Sequence, residues 1–311
     1  MTPTQALPAT AATYLKLLLA MLFWGGTWIA GRMLVQEVDP LVAAVWRFSI
    51  AGISLVALVW WQEGRLPGLS SREWGQVLLL GGTGIFLYNF FFLYGLRHIS
   101  AGRGALVVAL NPVVAACVAW AFFNDRMTPR KGLGIAVAFA GSLLVIANGA
   151  PMALLSGEVG LGELLIVGCV FSWVAYTFVG RAAMRTLSPL LATAYGCIAG
   201  WLMLLGVLLA RDGTGRFTTA PGFSLRAWLC IVFLGFFGTA LGFTWFNDGV
   251  RRIGAARASA FINLVPVAAV LLGAALLGER LGMPVLAGGA LVLGGVWLTN
   301  RASFNNEGIR A

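Results

Sequence analysis

Nine aromatic and amide side chains fall deep inside apolar stretches of this chain: Trp24, Trp28, Tyr88, Asn89 and Asn111 in the first half, and Trp173, Tyr176, Trp245 and Asn263 in the second. Indole and phenol rings make broad apolar walls, and a few amides fix orientation; a pocket for a flat, apolar small molecule uses that combination. Trp24 and Trp28 share a helix face at i, i+4, and Trp173 and Tyr176 at i, i+3. They read as substrate-binding residues around one central cavity. Tryptophan and tyrosine also gather at membrane–water interfaces, the reading that fits Trp60, Trp61, Trp74 and Trp228. Asn111 and Asn263 must turn inward, because an amide facing lipid lacks partners. Hydrogen bonding between helices is the other use open to them.

Charged groups are scarce at depth. Arg47 is the deepest basic residue, seven positions after Pro40, which at roughly 1.5 Å per residue puts it ~10 Å below a membrane surface. It is within reach for snorkelling, so it is either structural or a contact for a substrate carboxylate. None of the 11 Asp and Glu lies deep in an apolar segment; Glu163 and Asp248 come nearest. Proton-coupled carriers usually bury a carboxylate, so facilitated transport, or weak coupling through one of these two, is expected. Asp248 has a local partner available in Arg252 at i, i+4. Phosphorylated substrates would want several deep cations, and organic cations a deep acid.

Catalysis finds no support. There is no HExxH, GxSxG or phosphate-binding loop, and the only histidine, His98, has no acidic neighbour. A membrane-embedded enzyme acting on lipid-linked substrates, the alternative from a different class, lacks its reacting groups. The four cysteines lie inside apolar segments with no CxxC pair, so neither a metal nor a cofactor is expected.

The elements that position these residues are membrane helices. The chain is 59% hydrophobic and 10% charged, against about 25% charged in soluble domains. Its mean hydropathy is +0.89. A crossing takes ~20 apolar residues, which predicts ten spans, at about 14–34, 41–61, 74–96, 103–123, 132–150, 161–181, 189–210, 226–247, 256–277 and 284–300. Residues 1–13 have no basic leader region, so the first segment stays as a span. The charge of +10 sits in short loops rather than a basic tract, which argues for a lipid bilayer and against nucleic acid. With the N-terminus inside, 13 Lys and Arg are cytoplasmic and seven outside. The loop with Arg97 and Arg103 then lies outside, and both tails, 1–13 and 301–311, are cytoplasmic.

The chain is also duplicated. Residues 95–126 and 249–280 match at 11 of 32 positions at a constant offset of 154, including Arg97/Arg251, Ala101/Ala255, Arg103/Arg257, Pro112/Pro266 and Arg126/Arg280. Repeats of five spans, 14–150 and 151–300, enter the membrane in opposite senses. Inverted repeats of this kind hold a substrate near the midplane where the halves meet. The fold class is an all-α integral membrane protein, ten transmembrane helices as two inverted five-helix repeats. Pro112 and Pro266 lie mid-helix, where proline removes a backbone donor and kinks; the pair suits gating, or packing alone. Small residues at four-residue spacing, Gly196/Gly200, Gly238/Gly242 and Ala136/Ala140, read as helix-packing contacts.

The runs Phe23–Arg32 (FWGGTWIAGR) and Asp39–Gly52 (DPLVAAVWRFSIAG), the kinked helix before Asn124-Asp125-Arg126 and its twin ending Gly278-Glu279-Arg280-Leu281 resemble the drug/metabolite transporter superfamily. More narrowly they resemble its EamA-type ten-helix exporters, over nearly the whole chain. The most similar group is the YddG-type exporters of aromatic amino acids. That resemblance implies a secondary transporter exporting small metabolites, aromatic amino acids first, across a bacterial inner membrane by alternating access, as a monomer without cofactors. Other amino acids, drugs or organic cations are the alternative cargo. Asn124-Asp125-Arg126 departs from the Gly-Glu-Arg pattern that the second copy keeps.

Overall fold

The computed structural model describes residues 11–123, 127–147, 160–213, 222–253, 258 and 261–307. Asn124, Asp125, Arg126, Ala255 and Arg257 lie outside them. Among the described residues there are ten helices and no strand: α1 (Ala11–Leu34), α2 (Pro40–Glu63), α3 (Ser71–Leu96), α4 (Ala101–Phe122), α5 (Pro129–Ile146), α6 (Leu161–Ala183), α7 (Pro189–Asp212), α8 (Leu225–Ile253), α9 (Leu264–Leu277) and α10 (Met283–Glu307). The first eight are long and apolar enough to cross a membrane, and α9 and the Met283–Thr299 part of α10 are shorter apolar helices.

Local sequence sets where the helices start. Asp39-Pro40, Thr128-Pro129 and Ser188-Pro189 each pair a capping oxygen with a proline in the first turn, which needs no N–H there. Their side chains accept from Leu41 N at 3.0 Å, Lys131 N at 3.3 Å and Leu191 N at 3.2 Å. Gly64, at φ 65°, and Gly278, at φ 64°, end α2 and α9 in the left-handed conformation that glycine adopts without strain.

Two helices carry π-helical stretches, Gly81–Leu87 in α3 and Phe233–Leu241 in α8. Shifted by 154 the first becomes 235–241, so both fall at the same place in the repeat. Each is packed on the opposite half through glycine. A Cβ on Gly81 would stand 2.6 Å from Gly200 N and 2.8 Å from Gly196 O in α7. One on Gly235 would stand 2.6 Å from Arg47 O in α2. Likewise Gly84 abuts Tyr176 in α6, and Gly238 abuts Thr27 in α1. Thus α3 packs on α6 and α7, while α8 packs on α1 and α2: the second repeat reproduces the contacts of the first with the partners exchanged. The halves are interlocked rather than side by side.

The small-residue pairs divide. Gly196/Gly200 and Gly238/Gly242 make the close contacts expected of them, with α3 and α1. Ala136 and Ala140 instead face outward. The tight α5–α10 contact runs through Gly134, Gly141, Gly288 and Gly295, where an added Cβ would meet backbone of the other helix at 2.5–2.8 Å. Among the interfacial tryptophans, Trp60, Trp61 and Trp74 are exposed, whereas Trp228 packs edge-on against Trp46 at 5.3 Å.

Candidate substrate cavity

The two prolines do break their helices. In α4 the helix interrupts at Ala109-Leu110, and a turn at Asn263, 154 positions later, precedes α9. Pro112 has no N–H for the Val108 carbonyl and Pro266 none for that of Ile262, so each break leaves a main-chain acceptor without its helical donor. Both breaks face one cavity of about 260 Å³. Its walls are Trp28 from α1, Ala105 to Ala115 from α4, Trp173 and Thr177 from α6, and Ile262 to Pro266 from the start of α9. Every wall has a counterpart from the other half. Among the described residues no charged side chain lines it.

Of the residues singled out by sequence, Trp28, Asn111, Trp173, Asn263, Pro112 and Pro266 line the cavity together. The Oδ1 of Asn111 is buried without a hydrogen-bond partner. Trp173 is the centre of an aromatic cluster, with Tyr176 at 5.3 Å, Tyr88 at 5.5 Å and Phe243 at 6.5 Å. Tyr88 and Tyr176 thus stand directly behind a wall rather than in it. Trp24 occupies the same outer ring, packed on Phe243 at 5.2 Å, with its Nε1–H donated to Gly238 O at 2.9 Å.

Two positions go elsewhere. Both polar atoms of Asn89 are occupied, Oδ1 accepting from Arg47 Nη1 at 2.7 Å and Nδ2 donating to Ile85 O at 2.8 Å. Trp245 packs on Phe23 at 5.6 Å, in a separate cluster with Phe233 and Phe237 between α1 and α8. Sequence reasoning passed over Thr177 and Phe243. Thr177 follows Trp173 at i+4, a spacing that could have found it; Phe243 in a phenylalanine-rich helix carries no such signal. Arg47 does not snorkel: it is 8% exposed and turned inward to α3 and α8.

Salt bridges and hydrogen bonds close one end of the molecule between the halves. At the end bearing residues 35–39 and 278–282, Arg211 meets Asp39 at 2.9 Å and Arg103 meets Glu163 at 2.6 Å. Ser224 donates both N–H and O–H to Glu37, at 2.9 and 2.7 Å. Those two bonds hold the Glu37 carboxyl below its usual range, the hydroxyl having the larger effect. The carboxylate of Glu279 accepts from Ala101 N at 2.7 Å and Gly102 N at 3.0 Å, capping the start of α4 from the other half. At the opposite end Lys16 meets Asp248 at 3.2 Å, Tyr195 O–H donates to Pro67 O at 2.6 Å, and Glu73 is hydrogen-bonded to Thr186. Asp248 also makes its i, i+4 pair with Arg252, at 2.9 Å.

Comparison with known proteins agrees with this architecture. The uncharacterised transporter YyaM of Bacillus subtilis is 32% identical over 283 residues, covering 91% of this chain and 92% of its own. A protein of Streptantibioticus cattleyicolor named a probable terminal-alkyne amino-acid exporter is 29% identical, covering 94% of each. The uncharacterised inner membrane transporter YedA of Escherichia coli K12 is 27% identical, covering 89% and 87%. A solved crystal structure, 20% identical in sequence, superposes with a TM-score of 0.61 over 94% of this chain and 99% of that one, and shares the fold. The profile of the EamA-like transporter family matches twice, at residues 11–147 and 160–301. With two matched repeats and an all-helical, multi-pass membrane architecture, this chain belongs to the EamA-like transporter family.

Proposed function

We propose that this transporter exports aromatic amino acids by alternating access through the cavity between Trp28 and Trp173. The observation that carries the reading is the cavity itself: two indoles supplied by opposite halves, two proline-broken helices, and a buried acceptor, Asn111 Oδ1, with nothing yet to bind. At about 260 Å³ it is smaller than the roughly 300–1,000 Å³ of drug-sized sites, so it suits one small metabolite. Asn111 Oδ1 and the carbonyls of Val108 and Ile262 offer acceptors to an ammonium group. The amino-acid exporter among the relatives supports the substrate class.

The positive-inside count favours an orientation with both termini in the cytoplasm. The end closed by Glu279, Glu163, Asp39 and Glu37 is then the outer gate. Repeats 14–150 and 151–300 move against each other, with the breaks at Pro112 and Pro266 as their equivalent bends. Glu163 and Asp248, the acids nearest the spans, are already paired with basic side chains. That favours facilitated export over proton antiport.

Counterflow of labelled tryptophan, phenylalanine and alanine into proteoliposomes tests the reading. Saturable exchange of the first two is expected, with loss in Trp173→Ala. Exchange indifferent to the ring, or unaffected by Trp173→Ala, would remove the aromatic assignment.

A further inference from the structure

One buried charge has no counter-ion. Arg47 sits about a third of the way along α2, 8% exposed, and among the described residues no carboxylate lies within ion-pairing distance of it. A guanidinium cannot shed its proton in a protein. Its charge therefore persists in a low-dielectric interior, where an unpaired ion is held at high cost. The neighbours that soften the charge are neutral: Asn89 Oδ1, Thr239 Oγ1, and the rings of Phe48 and Phe92 at 4.9 and 5.9 Å from Cζ.

The fork is unevenly used. Nη1 is held by Asn89 at 2.7 Å. Nη2 reaches Thr239 at 3.4 Å, near the limit for a hydrogen bond, and Nε has no acceptor at all. Nε and Nη2 form the edge on which a carboxylate docks with two parallel N–H···O bonds. That edge carries one buried N–H without an acceptor and one long hydrogen bond. Phe92 stands between the guanidinium and the cavity: its ring lies 4.9 Å from that of Trp28 and 5.9 Å from that of Tyr88, which in turn contacts Trp173. Arg47 is thus one ring layer behind the cavity wall.

We propose that Arg47 is the carboxylate receptor of the transport cycle. When the Phe92–Tyr88 layer parts, the substrate carboxylate binds side-on to Nε and Nη2 while the aromatic side chain remains between the tryptophans. This rests on the amino-acid reading above and assigns its anionic half. It also links binding to the scaffold. Asn89 is bonded to Ile85 of the α3 π-helical stretch, and Thr239 lies in that of α8, bonded to Leu234. A carboxylate that takes Nη2 from Thr239 loosens the chain of bonds that runs from Ile85 through Asn89 and Arg47 to Thr239, so occupancy is signalled to both halves.

The test compares tryptophan with tryptamine, which keeps the indole and lacks the carboxylate, in counterflow with the wild type, Arg47→Gln and Arg47→Lys. Tryptophan kcat/KM should fall about tenfold or more in Arg47→Gln and less in Arg47→Lys, which keeps the charge but not the fork. Tryptamine exchange should change by less than about twofold. Equal losses for both compounds would mark Arg47 as scaffold only and overturn the proposal. A second measurement does not depend on transport: benzoate, but not benzamide, should raise the thermal midpoint of the wild type and not of Arg47→Lys. Wild-type protein inert to both indoles would defeat the functional reading alone. Absence of a benzoate–benzamide difference would defeat the receptor.

Discussion

Alanine in place of Gly81 or Gly235 should destabilise the protein, while alanine in place of Gly52 or Gly206 should not. In a helix interior Gly→Ala ordinarily gains about 0.5–1 kcal/mol. At Gly52 and Gly206 nothing lies within 4 Å of an added Cβ, so that gain should appear undiminished. At Gly81 the new carbon would meet Gly200 N at 2.6 Å and Gly196 O at 2.8 Å; at Gly235 it would meet Arg47 O at 2.6 Å. These are backbone atoms, which cannot rotate away as a side-chain tip can, so the helices must separate. Overpacking of this kind costs ~1–3 kcal/mol, leaving a net loss of roughly 0.5–2 kcal/mol after the propensity gain. The assay is the unfolding midpoint of the four purified variants in detergent, followed by tryptophan fluorescence. Midpoints for Gly81→Ala and Gly235→Ala at or above wild type would refute the interlocked packing of the π-helical stretches. So would a fall at Gly52 and Gly206 of the same size.

Two further outcomes follow from the closed end. Glu279→Ala removes the carboxylate that caps α4 across the halves, a loss of ~1–2 kcal/mol that should tilt the closed–open balance roughly 5–30-fold. A cysteine at Thr177 should then label faster from that end, and an unchanged rate would show that Glu279 is no latch. The Glu37–Ser224 tie has a defined pH window. Because the folded carboxyl is held below its ordinary value of 4.5, its contribution is present above that value and is lost as pH falls through the lower, folded one. The difference in thermal midpoint between wild type and Glu37→Gln should be constant from about pH 5 to 8 and shrink only below ~4.5. A change within the neutral range would contradict that assignment.

The helices and the repeat are legible in the sequence because lipid imposes length and apolarity on every span, and because the copies near Pro112 and Pro266 align without a gap. The proline breaks are legible for the same covalent reason in both halves. Mid-span polarity finds Asn111 and Asn263, and mid-span bulk finds Trp28 and Trp173. Rotation about the helix axis is what the pattern leaves open. Trp245 is an indole inside a span as Trp173 is, yet it joins Phe23, and Asn89 spends its amide on Arg47 and Ile85. A chain apolar on all sides gives no periodicity to say which face turns inward. The π-helical stretches are hidden for another reason. Gly81 and Gly235 carry no signal of their own in an apolar run, and the wider i→i+5 winding around them is a backbone feature, packed against α7 and α2. Arg47 reads as structural or as a carboxylate contact within reach of the surface, and only the placement of Asn89 and Thr239 beside it shows that it turns inward.

The claim that the space between Trp28 and Trp173 holds the substrate is tested most directly by protection. Thr177 lines the cavity, and Cys117 is the one partly exposed native cysteine, the other three being buried. In a Cys117→Ser, Thr177→Cys protein, labelling by a methanethiosulfonate reagent should slow in a saturable way as tryptophan or phenylalanine is added, and should not respond to alanine. Labelling at the same rate with and without the aromatic amino acids would place their binding elsewhere and contradict the account.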